Sequence, residues 1–253
     1  MTEHIRIAKS DGILTLVLDR PAKKNALTDA MYKALADAIE AAREDPEVRV
    51  IFLRGEGDMF TSGNDVGEFA AIAMTGQQPQ HVTRFLHAIA TTVKPLVAAV
   101  HGRAVGVGVT MLLHCDHVVM ADDATLATPF VNLALVPEAA SSLLLPARIG
   151  HARAFAMFAL GDPVSARDAV AWGIANKAVP AGELVATAEA FARRLAAQPP
   201  GALTATKALM RDSAALLAQI DSENQRFFER LKSAEAREAF MAFARRSASR
   251  AGS

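Results

Sequence analysis

An α/β fold, with a core of strand–helix units followed by an all-helical tail, is what this sequence predicts. Three observations carry it. Apolar, β-branched runs recur at 13–18, 48–53, 95–100 and 117–121, each the length of a buried strand. Stretches with helical periodicity fill the spaces between them. From Ser141 onward helical runs dominate, at about 141–148, 151–160, 165–172, 183–197, 201–218 and 222–246.

The elements follow in order. Ile13 to Leu18 reads as a strand closed by Asp19-Arg20-Pro21. Thr28 caps a helix whose apolar stripe is Met31, Leu35, Ala38, Ile39 and Ala42. Val48 to Leu53 is a second strand, ended by Gly55-Glu56-Gly57-Asp58. Residues 66–80, with Gly67, Gly76 and Pro79, read as an irregular, mobile segment over a site, where Met74 could wall a ligand. His81 to Val93 is a helix, Pro95 to Val100 a buried strand, Val107 to His114 a helix of small and apolar residues, and His117 to Ala121 a strand. Gly161-Asp162-Pro163, Gly173 and Pro199-Pro200-Gly201 punctuate the tail. The expected division is a core over 1–198 and a helical region over 199–253. The helices of that last region are too exposed to stand alone, so they pack on the core or on a neighbouring subunit.

Composition narrows the class. The chain has 253 residues, 51% of them apolar, and 27 basic against 27 acidic side chains. That balance offers no basic stripe for nucleic acid and no polybasic membrane surface. The single cysteine, Cys115, forms no internal disulfide, in keeping with a reducing compartment. Met1-Thr2-Glu3-His4 lacks the layout of a signal peptide. The apolar stretches are broken well short of the ~20 residues that span a bilayer. The expectation is a cytoplasmic protein without membrane or nucleic-acid partners.

Two glycine-bearing turns carry the chemistry: Phe60-Thr61-Ser62-Gly63-Asn64-Asp65 and Gly102-Arg103-Ala104-Val105-Gly106-Val107-Gly108. Each follows an apolar strand and opens into a helical pattern, which leaves backbone N–H groups unpaired at its end. Two such donors converging on one point form an oxyanion hole for a carbonyl that gains negative charge. Asp65 suits a helix cap, with Glu68 three residues later as in a capping box. Gly106-Val107-Gly108 lacks the third glycine of a dinucleotide fingerprint. His114-Cys115-Asp116-His117 fits no common metal spacing and reads as corner packing. Ser141 and Ser142 have no evident histidine partner and read as caps or packing. Phe227, Phe228, Phe240 and Phe243 read as core or subunit interface rather than ligand pocket.

Together these segments resemble the crotonase superfamily, the enoyl-CoA hydratase/isomerase family. The resemblance runs from Ile13 to about Arg245. Its carriers are Asp19-Arg20-Pro21 with Lys24-Asn25-Ala26-Leu27, the two turns, Lys94 to Val100 before Gly102, Cys115-Asp116, and Gly173-Ile174-Ala175-Asn176. It implies a spiral of ββα units with a C-terminal helical subdomain that serves trimerisation, hence a homotrimer or hexamer. It implies an acyl-CoA thioester substrate, its carbonyl oxygen held by the backbone N–H groups of Asn64 and Val107. No metal or redox cofactor is implied, CoA being part of the substrate. Lys23, Lys24, Ala26, Ser62, Asp65, Phe130 and Leu133 fall where the family binds its substrate, the lysines towards the CoA phosphates and adenine.

Carboxylates decide the branch. Hydratases of this family use two glutamates, at the positions that here are Thr110 and Phe130. Neither residue can activate water or protonate the α-carbon. Glu138, in Leu135-Val136-Pro137-Glu138-Ala139-Ala140-Ser141-Ser142, stands where the peroxisomal-type Δ3,Δ2-enoyl-CoA isomerases carry their base, with Val136 replacing the usual small polar residue. Burial against Phe130, Leu133 and Leu135 is expected to raise its pKa. Read without the resemblance, Glu138 is an acid at the start of a helix, where the dipole favours it. The implied reaction moves a double bond from C3 to C2 by one shuttled proton. Two alternatives stay open: isomerisation of another acyl-CoA, such as a ring-containing one, and an inactive CoA-thioester-binding protein.

Overall fold

The computed structural model of the chain describes residues 4–68 and 80–251. In chain order its strands are β1 (Ile5–Ser10), β2 (Ile13–Leu18), β3 (Val50–Gly55), β4 (Leu96–Val100), β5 (Arg103–Val105), β6 (His117–Ala121), β7 (Thr125–Ala127), β8 (Val164–Ser165) and β9 (Lys177–Val179). The helices are α1 (Asp29–Glu44), α2 (Val82–Thr91), α3 (Val107–Thr110), α4 (Ser141–Ile149), α5 (His151–Leu160), α6 (Ala166–Trp172), α7 (Leu184–Ala196), α8 (Pro200–Leu209), α9 (Ser213–Leu231) and α10 (Ala234–Ala251).

A six-stranded sheet in the order β1-β2-β3-β4-β6-β9 is flanked by a three-stranded one, β5-β7-β8. After the antiparallel β1–β2 hairpin, every pairing in the larger sheet is parallel, with Leu14 opposite Ile51 and Phe52 opposite Val97. Parallel strands are covered on both faces, which is why β3 and β4 read as unbroken apolar runs rather than alternating ones. Helix α7 lies against β2, β3, β4 and β6, α1 packs on α2, and α9 packs on α2. The core between these layers centres on Leu16, Leu18, Ile51, Phe52, Phe60 and Phe85.

Differences from the sequence reading have physical causes. Strand β1 escaped it because it is an edge strand whose only buried residue is Ile5. The second predicted strand begins at Val50 rather than Val48. The amide of Val48 closes a turn on Asp45, and those of Arg49 and Val50 both donate to Gly12. The small sheet escaped the reading because its strands have three residues or fewer. The helix predicted over 107–114 is α-helical only to Thr110 and then tightens to a 3-10 turn over Met111–His114. In the tail the break falls at Met210-Arg211-Asp212, where Asp212 caps α9 by accepting from the Ala215 amide, not near residue 220. Ile220 is fully buried within α9, on the face that holds the helix to the core. The segment read as lying over a site falls, from 69 to 79 and so including Met74, outside the described residues, as does the Phe243 side chain.

Candidate active site

The two glycine turns lie side by side, joined by a short ladder. Phe60 N–H donates to the His101 carbonyl, Thr61 N–H to that of Arg103, and Val105 N–H to that of Thr61, at 2.9, 3.2 and 3.1 Å. This spacing leaves no room for side chains. A Cβ on Gly63 would sit 2.9 Å from the Val105 oxygen, and Gly63 has φ +90°. A Cβ on Gly108 would meet Thr61 Cγ2 at 2.4 Å. Asn25 fixes the first turn from outside: its side-chain amide donates to the carbonyls of Glu56, Met59 and Phe60. Thr61 adds a bond from its hydroxyl to the Asn25 carbonyl and accepts from the Gly63 amide.

These bonds leave particular groups over. Neither the Asn64 N–H nor the Val107 N–H has a hydrogen-bond acceptor among the described residues. Val107 is the first residue of α3, following Gly106 at φ +57°, so its amide is one of the orphans every helix start exposes. The Asn64 side chain is held apart from this, its Oδ1 accepting from the Tyr32 hydroxyl. Burial raises the Tyr32 pKa well above its ordinary value, with Glu138 contributing, so the phenol stays a neutral donor.

Glu138 is buried, 4% exposed. Its Oε1 accepts from the Thr110 hydroxyl at 2.5 Å, while Oε2 has no hydrogen-bond partner among the described residues. Burial pushes its pKa up to about 8; the Thr110 hydroxyl pulls the other way and the Glu223 charge adds to the rise. The turn after it is unusual. Ala139 and Ala140 both have positive φ, 63° and 54°, which costs roughly 1–2 kcal/mol per residue that is not glycine. His114 secures that turn through Nε2 to the Ala139 oxygen at 2.7 Å. Arg211, which can only donate, faces the His114 Nδ1, so Nε2 carries the proton. Burial and then the Arg211 charge drive the His114 pKa down to about 3, so the ring stays neutral. The reading of His114 as packing is thus filled by a specific bond, and no metal-type cluster of acidic, Cys and His side chains occurs among the described residues.

Glu138 shares a narrow crevice with Asn64, Val82, Leu86, Asn224, Phe227 and Phe228. An adjoining cavity of about 110 Å³ is walled by Ser62, Asn64, Val107, Phe130, Leu133, Leu135, Phe227 and Phe240, among others. The apolar wall at the carboxylate therefore comes from α2 and α9, whereas Phe130, Leu133 and Leu135 line the space beside it. Phe227 and Phe240 are buried as expected, yet they also face this cavity, which the reading of them as core or interface did not foresee. A larger cavity, about 550 Å³, lies elsewhere among Leu113, Phe191, Leu203, Lys207 and Leu216. It contains neither glycine turn nor Glu138.

The remaining predicted site residues surround the first turn. Lys23 and Lys24 are exposed, Lys24 paired with Asp58, while its carbonyl accepts from the Ser62 amide at 2.9 Å. Ala26 offers its carbonyl to Arg20. Asp65 caps the start of the helix at 66–68 through the Gly67 and Glu68 amides and pairs with Arg20 at 2.6 Å. The capping box is incomplete: the Asp65 amide donates to the Leu27 carbonyl rather than to the Glu68 carboxylate, which accepts from the Asp29 amide instead. Thr110 and Tyr32 were not foreseen as partners of the site. Thr110 had a signal, since the family resemblance puts it at a hydratase glutamate position; Tyr32 had none beyond its helical stripe.

With this geometry in view, comparison with known proteins defines the class. Residues 8–250 match the family model described as enoyl-CoA hydratase/isomerase. The chain belongs to the enoyl-CoA hydratase/isomerase family. It is 33% identical over 252 residues to the 1,2-epoxyphenylacetyl-CoA isomerase of Escherichia coli strain K12, covering 96% of each chain. It is 33% identical to rat enoyl-CoA delta isomerase 2, covering 83% of this chain and 55% of that one. A probable enoyl-CoA hydratase of Rhodobacter capsulatus is 34% identical, with 96% of both chains covered. Among solved structures, Pseudomonas aeruginosa OdaA superposes with a TM-score of 0.91 at 44% identity, covering 96% of this chain and 99% of that one. The crotonase-type α/β fold with a C-terminal helical region is thereby shown. No helix among the described residues is long and apolar enough to cross a membrane.

Proposed function

We propose that this enzyme isomerises an enoyl-CoA, moving the double bond from C3 to C2 through Glu138 alone. The observation that carries the reading is the buried Glu138 carboxylate, its pKa raised to about 8, sharing a crevice with Asn64; the family resemblance puts Thr110 and Phe130 at the positions of a hydratase's acids. The thioester carbonyl accepts from the Asn64 and Val107 amides. Ionised Glu138 takes a proton from C2, breaking that C–H bond; the electron pair becomes a dienolate whose oxygen the two amides hold. The proton then returns from Glu138 to C4, and the double bond lies between C2 and C3. A base of pKa near working pH suits both halves of this transfer. Phe130, Leu133, Phe227 and Phe240 would receive the acyl group, and Lys23 and Lys24 the CoA phosphates.

Adding water instead needs a group to activate it and another to protonate carbon, and Glu138 supplies only one. A ring-containing acyl-CoA is the second reading, favoured by the aromatic cavity wall and by the likeness to the E. coli isomerase across nearly the whole of both chains. Turnover of 3-hexenoyl-CoA, measured beside crotonyl-CoA hydration and a ring-containing thioester, separates these. Glu138→Ala is expected to lower isomerisation by about 10³-fold, and brisk crotonyl-CoA hydration would falsify the single-carboxylate reading. Thioester binding with no turnover across the panel would instead mark an inactive binding protein.

A further inference from the structure

A second buried carboxylate lies behind the first. Glu223, on α9, is 5% exposed. Its Oε1 accepts from both the amide, at 3.0 Å, and the hydroxyl of Ser142, and its Oε2 is buried without a hydrogen-bond partner among the described residues. Gln219, one helical turn earlier, donates to the same Ser142 hydroxyl at 2.8 Å. Ser142 is the second residue of α4, whose N-cap, Ala140, has no side chain that could cap it. The missing cap thus comes from a distant helix, and it secures the far end of the turn that begins at Glu138.

We infer that Glu223 is a positioning residue for Glu138: it clamps the Glu138–Ser142 turn from α9 and places a second carboxylate behind the base. The inference rests on the reading of Glu138 as that base. The turn is held at two points, by His114 on the Ala139 carbonyl and by Glu223 on Ser142. Between them lie the two left-handed alanines, which would relax without a clamp. The ionisable groups bearing on Glu138 are Glu223 from α9 and Tyr32 from α1: the Glu223 charge opposes ionisation of Glu138, and the Glu138 charge opposes ionisation of Tyr32. Burial raises the Glu223 pKa while its Ser142 bonds lower it, so both acids stand above the usual carboxylate range.

Glu223→Gln tests this with little change of shape, because the amide oxygen still accepts from Ser142. Carbon-13 NMR of glutamate-labelled protein, with the Glu138 signal assigned by its loss in Glu138→Gln, gives the Glu138 titration directly. The expected result is a Glu138 titration moved to lower pH in Glu223→Gln. An unmoved titration overturns the inference. In steady-state isomerisation of 3-hexenoyl-CoA, Glu223→Ala is expected to lower kcat by about 10- to 100-fold, with KM within about threefold. Should Glu223→Ala fail to fold, the Gln variant carries the test alone. Full activity in Glu138→Gln would overturn the reading of Glu138 as base, and the titration would still decide the role of Glu223.

Discussion

The two halves of this site are built in different ways. The oxyanion side is backbone: two turns laced by main-chain bonds through Thr61, with glycines where any Cβ would collide. The base side is side chains: Glu138 on a turn of left-handed alanines, held by His114 at one end and Glu223 at the other. The first half is rigid because a β-ladder sets it. The second depends on contacts between segments far apart in the chain, and so its chemistry is tunable through each of them. In the proposed mechanism, thioester activation and proton transfer therefore rest on two differently built supports.

Substitutions can break that separation or sharpen it. Among substitutions that leave Glu138 in place, the largest effect on turnover is expected on the backbone side: Gly63→Ala should lower kcat/KM by about 10²-fold, the scale of losing one oxyanion donor. The acid limb of the profile should stay near pH 8, since Glu138 is untouched. A limb that moved with Gly63 would show that the halves are coupled.

A second expectation concerns stability rather than turnover. The Glu138 pKa is raised in the native state, from an ordinary 4.5 to about 8. Below pH 4.5 native and unfolded chains both hold this proton. Between 4.5 and 8 only the native one does, so stability falls as pH rises, and above 8 the loss is constant. The full span amounts to roughly 5 kcal/mol. Glu138→Gln should therefore be more stable than the natural chain at pH 8.5 and similar to it at pH 4, by urea denaturation. Equal stability at both pH values would mean that the carboxylate is not held in an apolar crevice.

The smallest effect is expected from Thr110→Val, which removes the hydroxyl that favours ionised Glu138. The acid limb should shift upward, with kcat/KM down about tenfold at pH 7 and the gap closing by pH 9. A loss that is the same at every pH would assign Thr110 to shape rather than to charge.

How much of this was readable in advance follows the same divide. The turns announced themselves, because close backbone approach demands glycine and glycine is visible in a sequence. Glu138 was readable from its neighbours by resemblance. Its crevice was not: Val82, Leu86, Asn224, Phe227 and Phe228 come from α2 and α9, and no local pattern tells a helix which distant turn it will cover. Tyr32 looks like any member of an apolar stripe. Glu223 looks like one more surface acid until tertiary packing buries it. The tail misled for a further reason. Strong helix formers flank Asp212, and helical periodicity masks a cap that only the Ala215 amide makes evident.

The free N–H groups of Asn64 and Val107 belong to no residue type, since every amino acid except proline offers one. A point substitution at either position can alter the side chain and leave the donor in place. Under the proposed mechanism, the capacity to polarise a thioester is carried by chain path, which substitution rarely disturbs, while the outcome of that polarisation is carried by a few exchangeable acids. Replacing Thr110 or Phe130 by glutamate would ask the same cradle to do different chemistry, and this chain is a ready scaffold for that exchange.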